Sequence, residues 1–178
     1  VFFINSPDSN ALQPLEIGFE HYPLIHLARL ARLDSSLFHG RLDGKLRVDL
    51  QGESRADLTI EDLVVQNKPY GQVRVEAQPE GEAKVRIKTS LQGALARAEL
   101  SGIYGLQEQS LALEANIPRF KMTLLDPFVR GFIRDSRGSA SARMSINGTV
   151  AQPEVEGNLF LDSVSTFVEY LQLRYTLP

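Results

Sequence analysis

Cysteine is absent from this chain of 178 residues, and so is tryptophan. Without cysteine the chain can form no disulfide, no thiolate nucleophile and no zinc–cysteine site. The absence fits a compartment in which free thiols oxidise, such as a bacterial periplasm, although many cytosolic proteins lack cysteine too. The three histidines are His21, His26 and His39. We interpret them as surface residues, because the spacing of the first two does not place two ligands on one helical face.

An excess of charge of one sign is also lacking. The 19 basic and 22 acidic residues leave a net charge of -3, and the charges are spread along the chain, which argues against a nucleic-acid partner. No run approaches the roughly 18 apolar residues of a membrane-spanning helix. Gly-rich phosphate loops, nucleophile elbows and metal-spaced clusters are missing as well, so the sequence predicts no enzyme, no cofactor and no metal site.

What the sequence does contain is strict alternation of polar and apolar residues. Residues 45–51 and 82–88 alternate without exception. Successive side chains of a strand point to opposite faces, so each segment forms a strand with one apolar and one charged face. The predicted strands lie at about 1–4, 15–19, 41–51, 55–66, 70–78, 82–91, 94–104, 109–117, 139–147, 153–163, 164–170 and 171–177.

The connections between the predicted strands are short and rich in turn-forming residues. They include residues 51–54, 67–69, 79–81 and 92–93. Such short connections force neighbouring strands to pair as hairpins. The sequence therefore predicts a mostly β protein, built as a meander that forms one long, curved antiparallel sheet.

Two short helices interrupt this pattern. Pro23 opens a segment with apolar residues at helical spacing, and proline is favoured in the first turn of a helix. A second helix is predicted at about 126–134. There Asp126 can cap the first turn and Pro127 suits the first helical position.

An approximate internal repeat relates residues 21–66 to residues 124–177. Each copy has a proline-initiated helix, then an alternating strand, then a glycine and a short polar turn. Superposing Gly52 on Gly148 aligns Leu46, Val48 and Leu50 with Ala142, Met144 and Ile146. We interpret residues 1–178 as a single β-rich module, and we expect it to be a fragment of a longer protein.

The function depends on what the apolar face contacts. In a closed β-sandwich, two sheets would pack these faces together. A transmembrane β-barrel also has long alternating strands, but it has aromatic girdles that this chain lacks. The helices are too few to cover so many strands, and the apolar positions are mostly aliphatic and small. These features favour a third arrangement, a sheet curled into an open trough.

In that arrangement the candidate site is an apolar groove with no catalytic, cofactor or metal residue. Its predicted lining is Leu46, Val48, Leu50, Val73, Val75, Val85, Ile87, Leu111, Leu113, Ile117, Met144, Ile146, Leu159, Leu161, Leu171 and Leu173.

The C-terminal third of the chain carries a familiar pattern. Residues 138–149 read GSASARMSINGT and residues 170–175 read YLQLRY. Between them lie Pro153, Gly157, Leu159 and Leu161. This region resembles the C-terminal part of the TamB family, large periplasmic proteins of Gram-negative bacteria related to AsmA-like proteins. The resemblance is best over 120–177 and weaker over 21–66. It rests on periodicity and spaced glycines rather than on a catalytic signature.

The resemblance implies a fold and a function that spacing alone does not show. The sheet would be a β-taco, a lengthwise trough with its aliphatic face inside. The full-length protein would be anchored in the inner membrane and would cross the periplasm to an outer-membrane barrel protein of the TamA type. Its work would be phospholipid transport and outer-membrane biogenesis, with acyl chains held in the trough.

Two protein–protein functions remain open. In one, the chain is a structural β-scaffold that binds no lipid. In the other, the edge of the sheet assists outer-membrane protein assembly by pairing with the strands of a client, as in β-augmentation.

Overall fold

A computed structural model describes residues 1–5, 15–30, 37–48, 54–81, 83–126, 128–129 and 131–177. Most of these residues form strands of a single sheet. The elements are β1 (Phe2–Asn5), β2 (Leu15–Pro23), α1 (Leu24–Leu30), β3 (Phe38–Val48), β4 (Arg55–Val65), β5 (Lys68–Pro79), β6 (Lys84–Gln92), β7 (Ala96–Gly105), β8 (Ser110–Lys121), a 3-10 turn (Met122–Leu124), β9 (Ile133–Thr149), β10 (Pro153–Val168) and β11 (Leu173–Thr176).

The strand order follows the chain from β1 to β11, and every neighbouring pair is antiparallel. The predicted meander is therefore confirmed. The sheet does not close on itself, because β1 and β11 form its two edges. No second sheet packs against it within the described residues, so the sandwich is excluded for that part of the chain.

The strand ends define two rims along the sheet. One rim carries α1, the 3-10 turn and the β4–β5 and β6–β7 connections, and we call it the helix-side rim. The other rim carries the β5–β6, β7–β8 and β9–β10 connections. Register shifts concentrate toward the helix-side rim, for example between Ile117 and Phe120 and between Asp162 and Ser165. Such bulges bend strands and increase their twist.

The sheet curls into an open trough with its apolar face inside. The exposure of alanine side chains indicates which face is crowded, because so short a side chain is buried only when its neighbours cover it. Ala115 and Ala142 on the apolar face are 8% and 6% exposed, whereas Ala112 on the polar face is exposed. Neighbouring side chains converge on the inner side of a curled sheet and diverge on the outer side.

Two glycines let neighbouring backbones approach closely on the apolar face. Gly102 and Gly157 have φ angles of 152° and 157°, which side-chain-bearing residues rarely adopt. A Cβ added to Gly102 would lie 2.1 Å from the carbonyl oxygen of Ala112. Glycine at these mid-strand positions marks close backbone approach and a local bend.

The helix that begins after Pro23 is confirmed as α1, whereas the helix predicted at 126–134 is wrong. The described residues of that segment form turns, and β9 begins at Ile133. Asp126 does not cap a helix, since its Oδ1 accepts a hydrogen bond from the Ser136 N–H at 3.3 Å. Phe128 and Phe132 are 62% and 76% exposed. The Phe128 ring meets the Tyr70 ring edge-on, with centroids 6.4 Å apart, but most of both phenylalanine side chains stays exposed, so little packing would stabilise a helix here.

Two boundaries also differ from the prediction. Residues 153–163 and 164–170 were predicted as two strands, but β10 is continuous from Pro153 to Val168. The break in alternation is a bulge at Ser163, whose φ is 50°. The turn predicted at 67–69 lies at Gln66 and Asn67, which have φ angles of 48° and 64°. These angles indicate the type I′ turn of a two-residue hairpin, and β5 already begins at Lys68.

Candidate functional site

The register of the strands joins the apolar positions into one face. Residues directly opposite each other in an antiparallel pair share a face. Following these pairs from β2 to β10 gives a row in which every residue is apolar or glycine, which we call the apolar row. It consists of Ile17, Leu46, Ala56, Ala77, Ile87, Gly102, Leu113, Ile146 and Val155.

The apolar row is long in the direction that crosses the strands. Nine strands at a spacing of ~4.8 Å give the row a length of about 38 Å, measured along the curved sheet. Parallel rows on the same face contain Leu58, Val75, Leu100 and Met144. The alternate positions on the opposite face form polar rows such as Lys45, Asp57, Glu76, Lys88, Ser101, Glu114, Ser145 and Glu156.

The polar face is held by ion pairs between neighbouring strands. Lys45 Nζ lies 3.3 Å from Glu16 Oε1, and the Arg74 guanidinium lies 3.3 Å from Asp57 and 3.0 Å from Glu76. These groups are well exposed, so each pair contributes little to stability. An open depression of about 700 Å³ also lies on this face, between β7 and β10. It is lined mainly by charged and polar residues, so it offers no apolar surface for an acyl chain. These lining residues include Glu99, Glu114, Arg143 and Glu156.

The apolar face is partly accessible along most of the sheet. Val85 and Ile87 in β6 are half-buried, whereas Lys84 and Lys88 on the opposite face are exposed. Leu124 is the one large side chain below 2% exposure among the described residues. A closed core would bury many large side chains to that extent. The face is therefore crowded but not covered.

The face is covered only at the helix-side rim. There Val65, Tyr70, Ala96 and Leu124 form a buried group, the rim cluster. Ala96 and Leu124 are both 0% exposed, because the 3-10 turn folds Leu124 over the start of β7. The Tyr70 hydroxyl donates a short hydrogen bond to the Leu124 carbonyl oxygen, which fixes the turn over the sheet.

Burial raises the pKa of Tyr70 above its ordinary value, and the negative charge of Asp126 raises that pKa further. Both effects disfavour the phenolate form. Tyr70 therefore keeps its proton and its hydrogen bond to Leu124 through the neutral range. Sequence reasoning missed the rim cluster, although the break in alternation at Leu95 and Ala96 was a signal that could have found it.

Most of the predicted lining residues share the apolar face. The register places fourteen of the sixteen there: Leu46, Val48, Val73, Val75, Val85, Ile87, Leu111, Leu113, Ile117, Met144, Ile146, Leu159, Leu161 and Leu173. Leu50 lies outside the described residues. Leu171 is in the turn between β10 and β11, not in a strand, so the register assigns it to neither face.

Aromatic side chains at the β2 end of the face were also missed. The rings of Phe2, Phe19 and Tyr22 have centroids 5.7 to 5.9 Å apart, and His26 of α1 lies against Tyr22 at 5.7 Å. The lining is therefore aliphatic in the middle of the sheet and aromatic at this end. His21 Nδ1 lies 3.4 Å from Asp43 Oδ1 at an exposed position.

The described part of the chain contains no group of three or more His, Asp or Glu side chains placed to hold a metal ion. None of its helices has the length and apolar character needed to cross a membrane. Comparison with protein-family models, with curated proteins and with solved structures gives no significant match.

Proposed function

We propose that the apolar face holds acyl chains and that the protein serves as a non-enzymatic conduit for phospholipid. The observation that supports this proposal is the apolar row, which crosses β2 to β10 without a polar residue. A row that served only as a core would be covered, but the middle of this face is half-exposed.

Physical chemistry favours an acyl chain as the occupant. Burying each CH₂ group contributes about 0.8 kcal/mol, so even part of one chain would bind measurably. The row has no polar anchor to fix the ligand at one place. A lipid could therefore move along the face with little change in free energy.

The wider role rests on the resemblance to the TamB family. On that basis the chain is the periplasmic part of an inner-membrane-anchored protein of a Gram-negative bacterium. Its trough would carry phospholipid toward the outer membrane, and an outer-membrane barrel protein of the TamA type would be the partner. The basis for this wider role is the pattern of residues 120–177.

One observation favours a second function, the pairing of client strands with the sheet edge. β11 pairs only with Ser165–Val168, so residues 153–162 of β10 have no outer partner among the described strands. Val155 and Leu159 on this edge are 58% and 64% exposed. An unpaired edge of this length, with apolar side chains exposed at alternate positions, can accept an added strand.

Site-specific photocrosslinking in cells tests the lipid proposal. A photoreactive amino acid replaces Ile87 on the apolar face in one variant and Lys88 on the polar face in the control. We expect phospholipid to crosslink at Ile87 only. Silence at both positions in a folded protein would contradict the lipid proposal and favour edge pairing.

A pair of aspartate substitutions on opposite faces of β6 provides a functional test. We expect Ile87→Asp to abolish lipid transfer between vesicles, because a carboxylate in the row costs several kcal/mol to desolvate. The matched control, Lys84→Asp, should transfer lipid as the wild type does. Circular dichroism and urea unfolding must first show that both variants fold. Equal transfer by the two folded variants would contradict the proposal.

A further inference from the structure

A polar cavity of about 400 Å³ opens at the helix-side rim, next to the rim cluster. Its lining comes from the start of β5, the end of β8, the 3-10 turn and the first part of β9. The lining residues are Lys68, Lys121, Thr123, Asp126, Asp135, Ser136, Arg137 and Gly138. This is the place where the covered part of the apolar face meets a charged surface.

Hydrogen bonds fix one side of the cavity. Lys68 Nζ donates to Thr123 Oγ1 at 2.8 Å and lies 3.9 Å from Asp126 Oδ2. The other oxygen of Asp126 accepts a hydrogen bond from the Ser136 N–H at 3.3 Å, and Ser136 is only 3% exposed. The negative charge of Asp126 is therefore already stabilised by a cation and by a backbone N–H donor.

The second carboxylate of the lining is compensated as well. Asp135 Oδ2 lies 3.5 Å from Arg134 and 3.7 Å from Arg174. Asp162, a further carboxylate on this part of the sheet, is not in the lining and accepts hydrogen bonds from Ser139 and Ser163. The negative charge near the cavity is thus paired with groups other than the two remaining cations.

Those two cations are Lys121 and Arg137. Neither side chain forms a hydrogen bond or an ion pair with any residue in the described ranges. Lys121 lies directly opposite Ser139, and Arg137 is two residues from Ser139 in the same strand. Diagonal neighbours of this kind lie roughly 7–8 Å apart, within reach of two long side chains that converge on one anion.

We propose that this rim cavity binds a phosphate ester group, held by Lys121 and Arg137. The inference rests on the proposed function for its source, a phospholipid headgroup. Lys121 pairs with Ser139, so it and Arg137 extend from the polar face at the end of β8, and the acyl chains would pass this strand end to reach the apolar face. Arginine offers a planar fork of donors and lysine a compact charge, and both suit phosphate oxygens. The compensated Asp126–Lys68 pair forms the wall beside the phosphate.

Calorimetric titration with three soluble probes tests the proposal. The probes are dihexanoyl phosphatidic acid, dihexanoylglycerol and glycerol 3-phosphate. The proteins are the wild type, the double variant Lys121→Gln/Arg137→Gln, and a control with Lys84→Gln/Lys88→Gln on the polar face. We expect the wild type and the control to bind phosphatidic acid at least about tenfold more tightly than dihexanoylglycerol, and the double variant to lose this preference.

The outcomes separate this inference from the proposed function. Equal binding of the charged and neutral lipids by the wild type overturns the rim site but leaves the groove intact. Binding of glycerol 3-phosphate alone, dependent on Lys121 and Arg137, supports a phosphate site but overturns the lipid as its source. An equal loss of the preference for phosphatidic acid in the control also overturns the proposal. The preference would then depend on the net charge of the protein and not on Lys121 and Arg137.

Discussion

The rim cluster and the outer half of β10 use the same kind of residue in opposite ways. Leu124 and Ala96 are 0% exposed at the helix-side rim, whereas Leu159 and Val155 of β10 are 64% and 58% exposed. Both regions belong to the same apolar side of one sheet. The difference is that a 3-10 turn folds over the sheet at the rim, and no described segment folds over residues 153–162. Alternation thus makes an apolar face, but a covering segment decides whether it becomes a core.

The largest expected effect comes from emptying the rim cluster. Leu124→Ala should lower the free energy of unfolding by about 3 kcal/mol, because it leaves a cavity in a fully buried site. The matched substitution Leu159→Ala should change it by less than about 0.5 kcal/mol, because that side chain is exposed. Urea unfolding measures both. Similar losses in the two variants would show that β10 is also covered in solution.

A smaller effect is expected at the backbone of the open face. Gly102→Ala should cost about 2 kcal/mol, since the new Cβ would meet the Ala112 carbonyl at an unfavourable φ. Gly81, with a φ of 73° and nothing within 4 Å of an added Cβ, is the control. Gly81→Ala should cost about 1 kcal/mol. If urea unfolding finds the two costs equal, close backbone approach does not shape the open face.

The smallest effect concerns the hydrogen bond that holds the 3-10 turn over the sheet. Tyr70→Phe removes the donor to the Leu124 carbonyl and should lower stability by about 1 kcal/mol at neutral pH. The raised pKa of Tyr70 adds a pH dependence. The folded state holds the phenolic proton more tightly than the unfolded chain, so this contribution is complete below the unfolded pKa of about 10 and is lost as pH rises toward the folded value.

Unfolding at several pH values therefore sharpens the comparison. Tyr70→Phe has no phenol to ionise, so it does not lose stability at this position above about pH 10. The wild type does, so the stabilities of the two proteins should approach each other there. The wild type measured over the same pH range controls for the other tyrosines and for lysines. A stability difference that stays constant from pH 7 to about pH 11 would show that Tyr70 is not desolvated by the rim cluster.

Much of the fold could be predicted from the sequence because its strands are locally determined. Residues 45–48 and 84–88 alternate so strictly that only a strand gives each a consistent apolar face. Short connections then leave hairpin pairing as the only topology. Together these two facts put fourteen of the sixteen predicted lining residues on one face, before any contact between distant residues is known.

The errors lie where local pattern and tertiary contact disagree. Asp126 and the phenylalanines after it have the residue types of a capped helix. Asp126 instead accepts a hydrogen bond from the Ser136 N–H of β9, and most of both phenylalanine rings stays exposed. The bulge at Ser163 breaks the alternation without ending β10. In both cases a partner distant in sequence decides the local conformation.

The sequence by itself determined that this chain is a meander with one apolar and one polar face, because side-chain direction in a strand depends only on position parity. Only the tertiary structure decided which part of the apolar face is covered, how the cavity at Lys121 and Arg137 is lined, and that the sheet stays open. Those properties depend on where Leu124 folds relative to Ala96, and on which carboxylates meet which cations. Periodicity carries no information about such contacts between segments.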